Sequence, residues 1–165
     1  MATQRPAGAD IERVVMRVHQ GAIDVLGVVV EPVTVHQSKF SMGTVLALAA
    51  VHGHAGLTEF DAEALAEPTQ EFARRVEMVL DPEVDSAYPR RWIGKVTVQT
   101  KDGRSFEGRV DEPKGDPGNT LSRDEINAKA KRLASYGGVD DAAASEAIAR
   151  VWSLAATPRI GLLLA

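Results

Sequence analysis

The residues that most suggest chemistry form a polar run, residues 36–41 (H-Q-S-K-F-S), directly before a long apolar stretch. That stretch, residues 45–51 (V-L-A-L-A-A-V), ends at Gly53 and is typical of a buried helix. Lys39 supplies a positive charge, Ser41 supplies a hydroxyl, and the N-terminus of a helix favours anions. Packing does not require these polar side chains at the mouth of the helix, so the run is a candidate site.

A structural role explains the same residues. Serine is common at the N-cap of helices, so Ser38 or Ser41 can cap the helix while Lys39 is solvated. His36 can act as an acid or a base, although single histidines in loops are usually not catalytic. Both readings stay open at this point.

The other histidines point to structural roles. His52 and His54 flank Gly53, but nothing near them offers the further ligands that a metal site needs, and a histidine at a helix C-terminus is a normal partner of the helix dipole. His19 follows a predicted strand. The chain has no cysteine, which excludes disulfides, thiolate catalysis and cysteine-based zinc or iron–sulfur sites.

Composition limits the classes of partner. The chain has 165 residues and a formal net charge of -4, with acidic and basic residues interspersed, so it lacks the basic stripe of a nucleic-acid surface. Residues 1–8 lack the apolar region of a signal peptide, and no apolar stretch reaches the ~18–20 residues of a membrane span. We therefore expect a cytoplasmic protein that binds neither nucleic acid nor membrane.

The pattern along the chain predicts an α+β fold, an antiparallel sheet of about four strands with helices packed on one face. Residues 1–9 are expected to form a tether and residues 10–165 a single domain. Strands are predicted at residues 11–18, 76–80, 95–100 and 105–110. Asp102-Gly103 is the turn of a hairpin between the last two strands, whose buried side is expected to hold Val96, Val98, Phe106 and Val110.

Helices are predicted at residues 38–52, 62–66, 68–75, 123–136 and 139–155. Gly53 is expected to cap the first of these helices and Asp61 the second, and Ser122 and Glu125 form a capping box for the fourth. Residues 21–27 are expected to form a bend or single turn, residues 31–36 an extended loop, and residues 160–164 a short apolar turn.

Several stretches together resemble one enzyme family. They are residues 37–41 (Q-S-K-F-S), residues 102–104 (D-G-R), residues 113–117 (P-K-G-D-P) leading through Leu121-Ser122 to Lys129, and residues 10–14 (D-I-E-R-V). In this order and spacing they resemble the C-terminal domain of the MmgE/PrpD family, which includes 2-methylcitrate dehydratase, cis-aconitate decarboxylase and iminodisuccinate epimerase. The chain departs from the family pattern at Met42-Gly43, Thr120 and Ala130, which leaves the substrate open.

The resemblance implies a chemistry. Family members remove a proton next to a carboxylate of a small di- or tricarboxylate such as 2-methylcitrate, and they lose water, lose carbon dioxide or take the proton back. No metal or organic cofactor is implied. Lys39, Ser41 and His36 are then candidate substrate-binding residues. No residue of this chain matches the lysine and histidine of the family's catalytic segment, so no catalytic residue is assigned.

The resemblance also implies partners. The large helical N-terminal domain of the family has no counterpart in this sequence, so we expect a lid domain that is inactive by itself and that belongs to a homodimeric full-length enzyme. An alternative is a non-catalytic module that pairs in trans with a separate helical subunit. In that case the apolar faces of the long helix and of residues 151–154 would be partly exposed.

Overall fold

The computed structural model describes Pro6 and residues 8–157, so the apolar turn predicted at residues 160–164 lies outside the described residues. Residues 8–10, at the end of the predicted tether, form a short 3-10 turn. Contacts divide the chain into two units, Met1–Pro113 and Lys114–Ala165. The α+β class is confirmed, because the described residues form eight α-helices and one four-stranded sheet.

The first unit contains the sheet and six of the described helices. Its elements are β1 (Ile11–Val18), α1 (Gln20–Leu26), α2 (Val35–Ser38), α3 (Met42–His52), α4 (Leu57–Glu63), α5 (Glu67–Ala73), β2 (Val76–Leu80), α6 (Pro82–Ala87), β3 (Gly94–Thr100) and β4 (Ser105–Val110). The strand order in the sheet is β2-β1-β3-β4. All four predicted strands are confirmed.

The sheet is mixed, so the prediction of a purely antiparallel sheet was wrong. β1 pairs in parallel with β2, with Val14 opposite Val76, whereas β1–β3 and β3–β4 are antiparallel. The physical reason lies in the connection between β1 and β2, which consists of α1 to α5. A helical crossover of this length returns the chain to the same end of the sheet, and parallel strands require such a crossover.

The helix predicted at residues 38–52 corresponds to α3, which begins later, at Met42, and the extended loop predicted at residues 31–36 runs instead into the short helix α2. The hydroxyl of Ser38 donates to the carbonyl oxygen of Val35 at 2.7 Å in the last turn of α2. Ser41 then has extended backbone angles (φ -108°, ψ 112°) and its hydroxyl accepts from the N–H of Thr44, so α3 begins after it. Gly53 ends α3 with φ 78°, in the left-handed conformation that was expected for this cap.

Three other helix predictions need correction. The bend at residues 21–27 is the helix α1. The second predicted helix is α4, which begins at Leu57 rather than after Asp61, because the carboxylate of Glu59 accepts the N–H of Gly56 at 2.9 Å and starts the helix earlier. α6 was missed, although Asp81 caps it and Pro82 occupies its first turn, a common helix start.

α3 is the centre of the apolar core. Ala47 packs on one side of the helix in a cluster with Ile11, Val14 and Phe72 from the sheet and α5. Leu48, which is 1% exposed, packs on the other side in a cluster with Phe60 and Ala64. Burial of a leucine side chain contributes about 1.5–3 kcal/mol. The apolar sequence of α3 follows from this position between two packing surfaces.

The hairpin differs from the prediction at one end. Val96 and Val98 pack against the core as expected. Val110 was expected on the buried side, but 51% of it is exposed. β4 lies at the edge of the sheet, and Val110, its last residue, belongs to neither apolar cluster.

The second unit is a pair of helices, α7 (Arg123–Tyr136) and α8 (Asp141–Ser153). The predicted capping box is confirmed, because Ser122 and Glu125 exchange hydrogen bonds at the start of α7. Asp140 caps α8, which therefore begins later than predicted. The indole N–H of Trp152 donates to the side-chain oxygen of Asn127 at 2.7 Å and joins the two helices. Ala144 is the only buried residue among the described residues of these helices.

An ion-pair network joins α6 to the hairpin. Lys95 of β3 contacts Asp81 at 2.8 Å and Glu83 at 2.6 Å, and Arg109 of β4 contacts Glu83 and Asp111 at 2.7 Å each. Hydrogen bonds from Arg109, and then from Lys95, lower the pKa of Glu83 from 4.5 to about 2. The ionised form of Glu83 therefore stabilises the folded state relative to the unfolded chain.

This contribution should disappear in acid. It is fully present above pH 4.5, the ordinary pKa of a glutamate, and is lost as the pH falls towards about 2. The melting temperature of the wild-type chain is therefore expected to exceed that of Glu83→Gln at pH 7, and the two should converge near pH 2. Calorimetric melting between these pH values tests this. Glu12→Gln is the control, since Glu12 is exposed and forms no ion pair with any described residue. A constant difference across the range would contradict the prediction.

Candidate functional site

Two short elements position the polar run. The hydroxyl of Thr34 accepts the N–H of Gln37 at 3.1 Å and caps α2, which carries His36. Lys39 follows as the C-cap residue of α2 with helical backbone angles (φ -69°, ψ -15°). His36 and Lys39 are three residues apart on nearly helical backbone, so they are neighbours on one face. Both side chains are exposed.

Lys39 is available to an external anion. No carboxylate among the described residues forms an ion pair with it, and its ammonium lies 6.0 Å from the centroid of the Phe60 ring. His36 lies beside Phe40, with 5.3 Å between the ring centroids. The structure thus places one cation and one imidazole at the surface, each next to an aromatic ring.

Ser41 has a different environment. It is 1% exposed, and its hydroxyl accepts the N–H of Thr44 at 3.4 Å, which confirms the structural reading that Ser41 caps the long helix. Ser41 also lines a cavity of ≈ 200 Å³ at the start of α3, and among the described residues of the lining it alone carries a hydroxyl group. His36 and Lys39 do not line this cavity. The three candidate residues are close in sequence, but the described His36 and Lys39 are exposed while Ser41 is buried.

The surface next to the run is apolar, which the sequence reasoning did not use. The valine segment, residues 25–33, exposes Val25, Val28, Val30 and Val33, and the exposed fraction reaches 77% at Val33. The segment contains one carboxylate, that of Glu31, which forms an ion pair with the guanidinium of Arg74 at 3.3 Å. The three consecutive valines at residues 28–30 could have indicated this apolar surface from the sequence.

A larger groove lies on the other side of α3. It has a volume of ≈ 820 Å³ and is lined by one flank of α3 and the inner side of β1, β3 and β4. The lining is mostly apolar, and among the described residues that line it only His52 and Glu107 are ionisable. The groove lies between α3 and the sheet, and Ile11, Val14 and Phe72 of the core cluster form part of its wall.

The remaining histidines form structural contacts. His52 lies 2.9 Å from Glu63 and His54 lies 3.3 Å from Glu59, so each histidine pairs with a different carboxylate. No three histidine, aspartate or glutamate side chains among the described residues are grouped as a metal site would need. The structural role predicted for His19 is confirmed, since its Nδ1 accepts the N–H of Ala22 at 3.1 Å at the start of α1.

Comparison with known proteins agrees with this fold. The family model of the MmgE/PrpD C-terminal domain matches residues 1–154 of the chain. The chain therefore belongs to the MmgE/PrpD family, as a C-terminal domain, and the resemblance noted from the sequence is confirmed. No curated protein matches the chain. In the part of the chain that the structure describes, no helix combines the length and apolar character needed to cross a membrane.

The different roles of Ser41 and Lys39 can be measured. Ser41→Ala is expected to lower the free energy of unfolding by about 1 kcal/mol, because the N–H of Thr44 loses its acceptor inside the fold. Lys39→Ala is the matched control and should change it by less than about 0.5 kcal/mol, because that side chain is exposed and unpaired. Urea unfolding followed by circular dichroism gives both values. Equal stability of Ser41→Ala and wild type would refute the capping role.

Proposed function

We propose that this chain is the lid domain of a MmgE/PrpD-type lyase or isomerase that acts on a small di- or tricarboxylate such as 2-methylcitrate. The observation that carries the proposal is membership of the family over residues 1–154. The reaction is removal of a proton next to a carboxylate, followed by loss of water, loss of carbon dioxide or return of the proton. Such a reaction needs a base and, separately, groups that hold the substrate carboxylates.

In this proposal Lys39 holds a substrate carboxylate. An ammonium that is exposed and free of carboxylate partners among the described residues can pair with an incoming anion without breaking an existing ion pair. A charge-assisted hydrogen bond of this kind contributes about 1.5–3 kcal/mol. His36, its neighbour on the same face, is placed to donate or accept a hydrogen bond to the same ligand.

Ser41 contributes differently. Its oxygen accepts the N–H of Thr44, so its own hydrogen remains free to be donated. Because the residue is buried, contact with substrate requires the chain around residues 36–41 to be met by another surface that completes the site. The proposal assigns the base to that other surface, since no residue of this chain matches the family's catalytic lysine and histidine. The chain alone is therefore expected to be inactive.

The role of Lys39 is tested by coexpressing the chain with the large helical domain of a family enzyme and measuring dehydration of 2-methylcitrate and citrate. Lys39→Ala is expected to raise KM by about 10- to 100-fold, because a charged contact to the substrate is lost. Lys101→Ala is the matched control, an exposed lysine on the hairpin turn. An unchanged kcat/KM for Lys39→Ala would remove this residue from the site, and turnover by the chain alone would contradict the lid assignment.

A second function is favoured by exposed apolar surface. The chain would then be a non-catalytic module that pairs in trans with a separate helical subunit. In the first unit the valine segment and Val51 of α3 are exposed, and in the second unit Val151 and Trp152 of α8 are exposed, by 53% and 39%. Exposed apolar side chains clustered within each unit are typical of protein interfaces.

This alternative predicts binding without activity. The chain should co-purify with the helical domain, and the triple change Val28→Ser, Val30→Ser and Val33→Ser should weaken the complex by about tenfold or more, because apolar contact area is lost. Leu65→Ser is the control, a similar change at an exposed residue outside the valine segment. Titration calorimetry gives the affinities, and an affinity unchanged by the triple change would exclude the valine segment from the interface.

A further inference from the structure

β4 is an edge strand, because no other described strand pairs with the side that faces away from β3. On its inner side it pairs with β3, with Phe106 opposite Val98 and Gly108 opposite Val96. At the hairpin turn the N–H of Thr100 donates to the carbonyl oxygen of Arg104 at 2.9 Å, so these two residues form a hydrogen-bonded pair. Hydrogen-bonded pairs alternate along an antiparallel ladder. Every second residue from Arg104 onward therefore directs its backbone groups to β3.

The residues between them direct their backbone groups outward. These are Ser105, Glu107 and Arg109, and the described part of the chain provides no backbone hydrogen bond to Glu107 or Arg109 on that side. An edge with unpaired N–H and C=O groups is a template for another strand. Charged side chains on such an edge usually discourage pairing, so the signs and spacing of these charges decide what can bind.

The sequence of β4 is complementary to itself. If a second copy of β4 lies antiparallel with Gly108 opposite Gly108, then Glu107 lies opposite Arg109 and Phe106 lies opposite Val110. Glu107 and Arg109 both direct backbone groups outward, so they form the hydrogen-bonded pair of this register. Opposite charges and apolar pairs at facing positions each stabilise a sheet.

Other registers are less favourable. A shift by two residues in one direction places Glu107 opposite Glu107, and the same shift in the other direction places Arg109 opposite Arg109, so like charges meet. Glu107 forms no ion pair with any described residue of its own chain, whereas Arg109 is already ordered by Glu83 and Asp111. Self-pairing therefore brings an unpaired carboxylate to an ordered guanidinium.

The exposure of Val110 also favours a second copy of β4 as the strand that pairs with this edge. Half of this side chain is exposed in the chain by itself, and the proposed register covers it with Phe106 of the second copy. Gly108 at the two-fold axis adds no side chain where the two backbones approach most closely, at about 4.5 Å between Cα atoms of a non-hydrogen-bonded pair.

We propose that two copies of this chain associate through antiparallel pairing of their β4 strands, centred on Gly108, to form one continuous sheet. The interface is isologous, since each copy contributes the same residues. The pairing does not rest on the proposed enzymatic function.

Sedimentation equilibrium of the full chain from about 1 µM to about 1 mM tests the proposal. A monomer–dimer equilibrium is expected. Glu107→Pro should raise the dissociation constant about 30-fold, because the outward N–H is lost in both copies while the ladder with β3 is kept. Glu107→Arg should also weaken the dimer, because it faces Arg109, whereas Glu12→Arg on the central strand β1 should not.

Cross-linking tests the register independently of these variants. In Gly108→Cys the two cysteines would meet at the axis, within the Cα separation of about 4.4–6.8 Å that a disulfide needs. In Ser105→Cys they would lie about 20 Å apart. Oxidation with copper phenanthroline and oxygen should therefore cross-link Gly108→Cys and not Ser105→Cys. The new Cβ at residue 108 would lie 3.0 Å from a methyl group of Val96, so the Val96 side chain must shift by a few tenths of an ångström. A chain that is monomeric throughout, a dimer indifferent to Glu107→Pro, or equal cross-linking of both cysteine variants would overturn the proposal.

Discussion

The packing of α3 on two sides is the constraint on which the first unit depends. Ala47 contacts the cluster that joins the sheet to α5, and Leu48 contacts the cluster around α4, so one helix links two layers. The approach to α5 is so close that a Cβ at Gly43 would lie 2.8 Å from the carbonyl oxygen of Ala73. Only glycine fits this contact without displacement of backbone. The start of α3, and with it Ser41, is therefore held firmly in place.

This placement divides the candidate site into an inner and an outer part. Ser41 is buried and caps α3, whereas the side chains of His36 and Lys39 are exposed to solvent on the face of α2. Such a division suits a surface that completes its binding site against another body, since the groups that hold its own fold are not the groups that face solvent. The chemistry that we propose rests on membership of the family, and Lys39, whose ammonium forms no ion pair with a described carboxylate, is the feature of this chain that fits the proposal best.

The sheet is covered unevenly. Ala47 of α3 and Phe72 of α5 pack against Ile11 and Val14 of β1, whereas Phe106 and Gly108 of β4 line an open groove. The hairpin is instead held from another direction by the ion pairs of Lys95 and Arg109 with the start of α6. The edge position of β4 follows from the strand order, in which β4 pairs only with β3 among the described strands.

Features whose hydrogen-bonding partners lie within a few residues could be predicted from the sequence. The turn at Asp102-Gly103, the left-handed cap at Gly53 and the capping box of Ser122 and Glu125 were all predictable, because each is complete within one turn of chain. The family, and with it the class of fold, was also readable from the order and spacing of short motifs such as residues 37–41. The candidate residues His36 and Lys39 could be named from the sequence, but their exposure could not.

Tertiary structure decided the features that join distant residues. The parallel pairing of Val14 with Val76 depends on how five helices pack between them, and no local pattern encodes that direction. The burial of Ser41, the exposure of Val110 and the free edge of β4 were equally invisible in the sequence. The edge follows from the strand order, and burial and exposure depend on what lies across from a side chain rather than on what lies beside it in the chain.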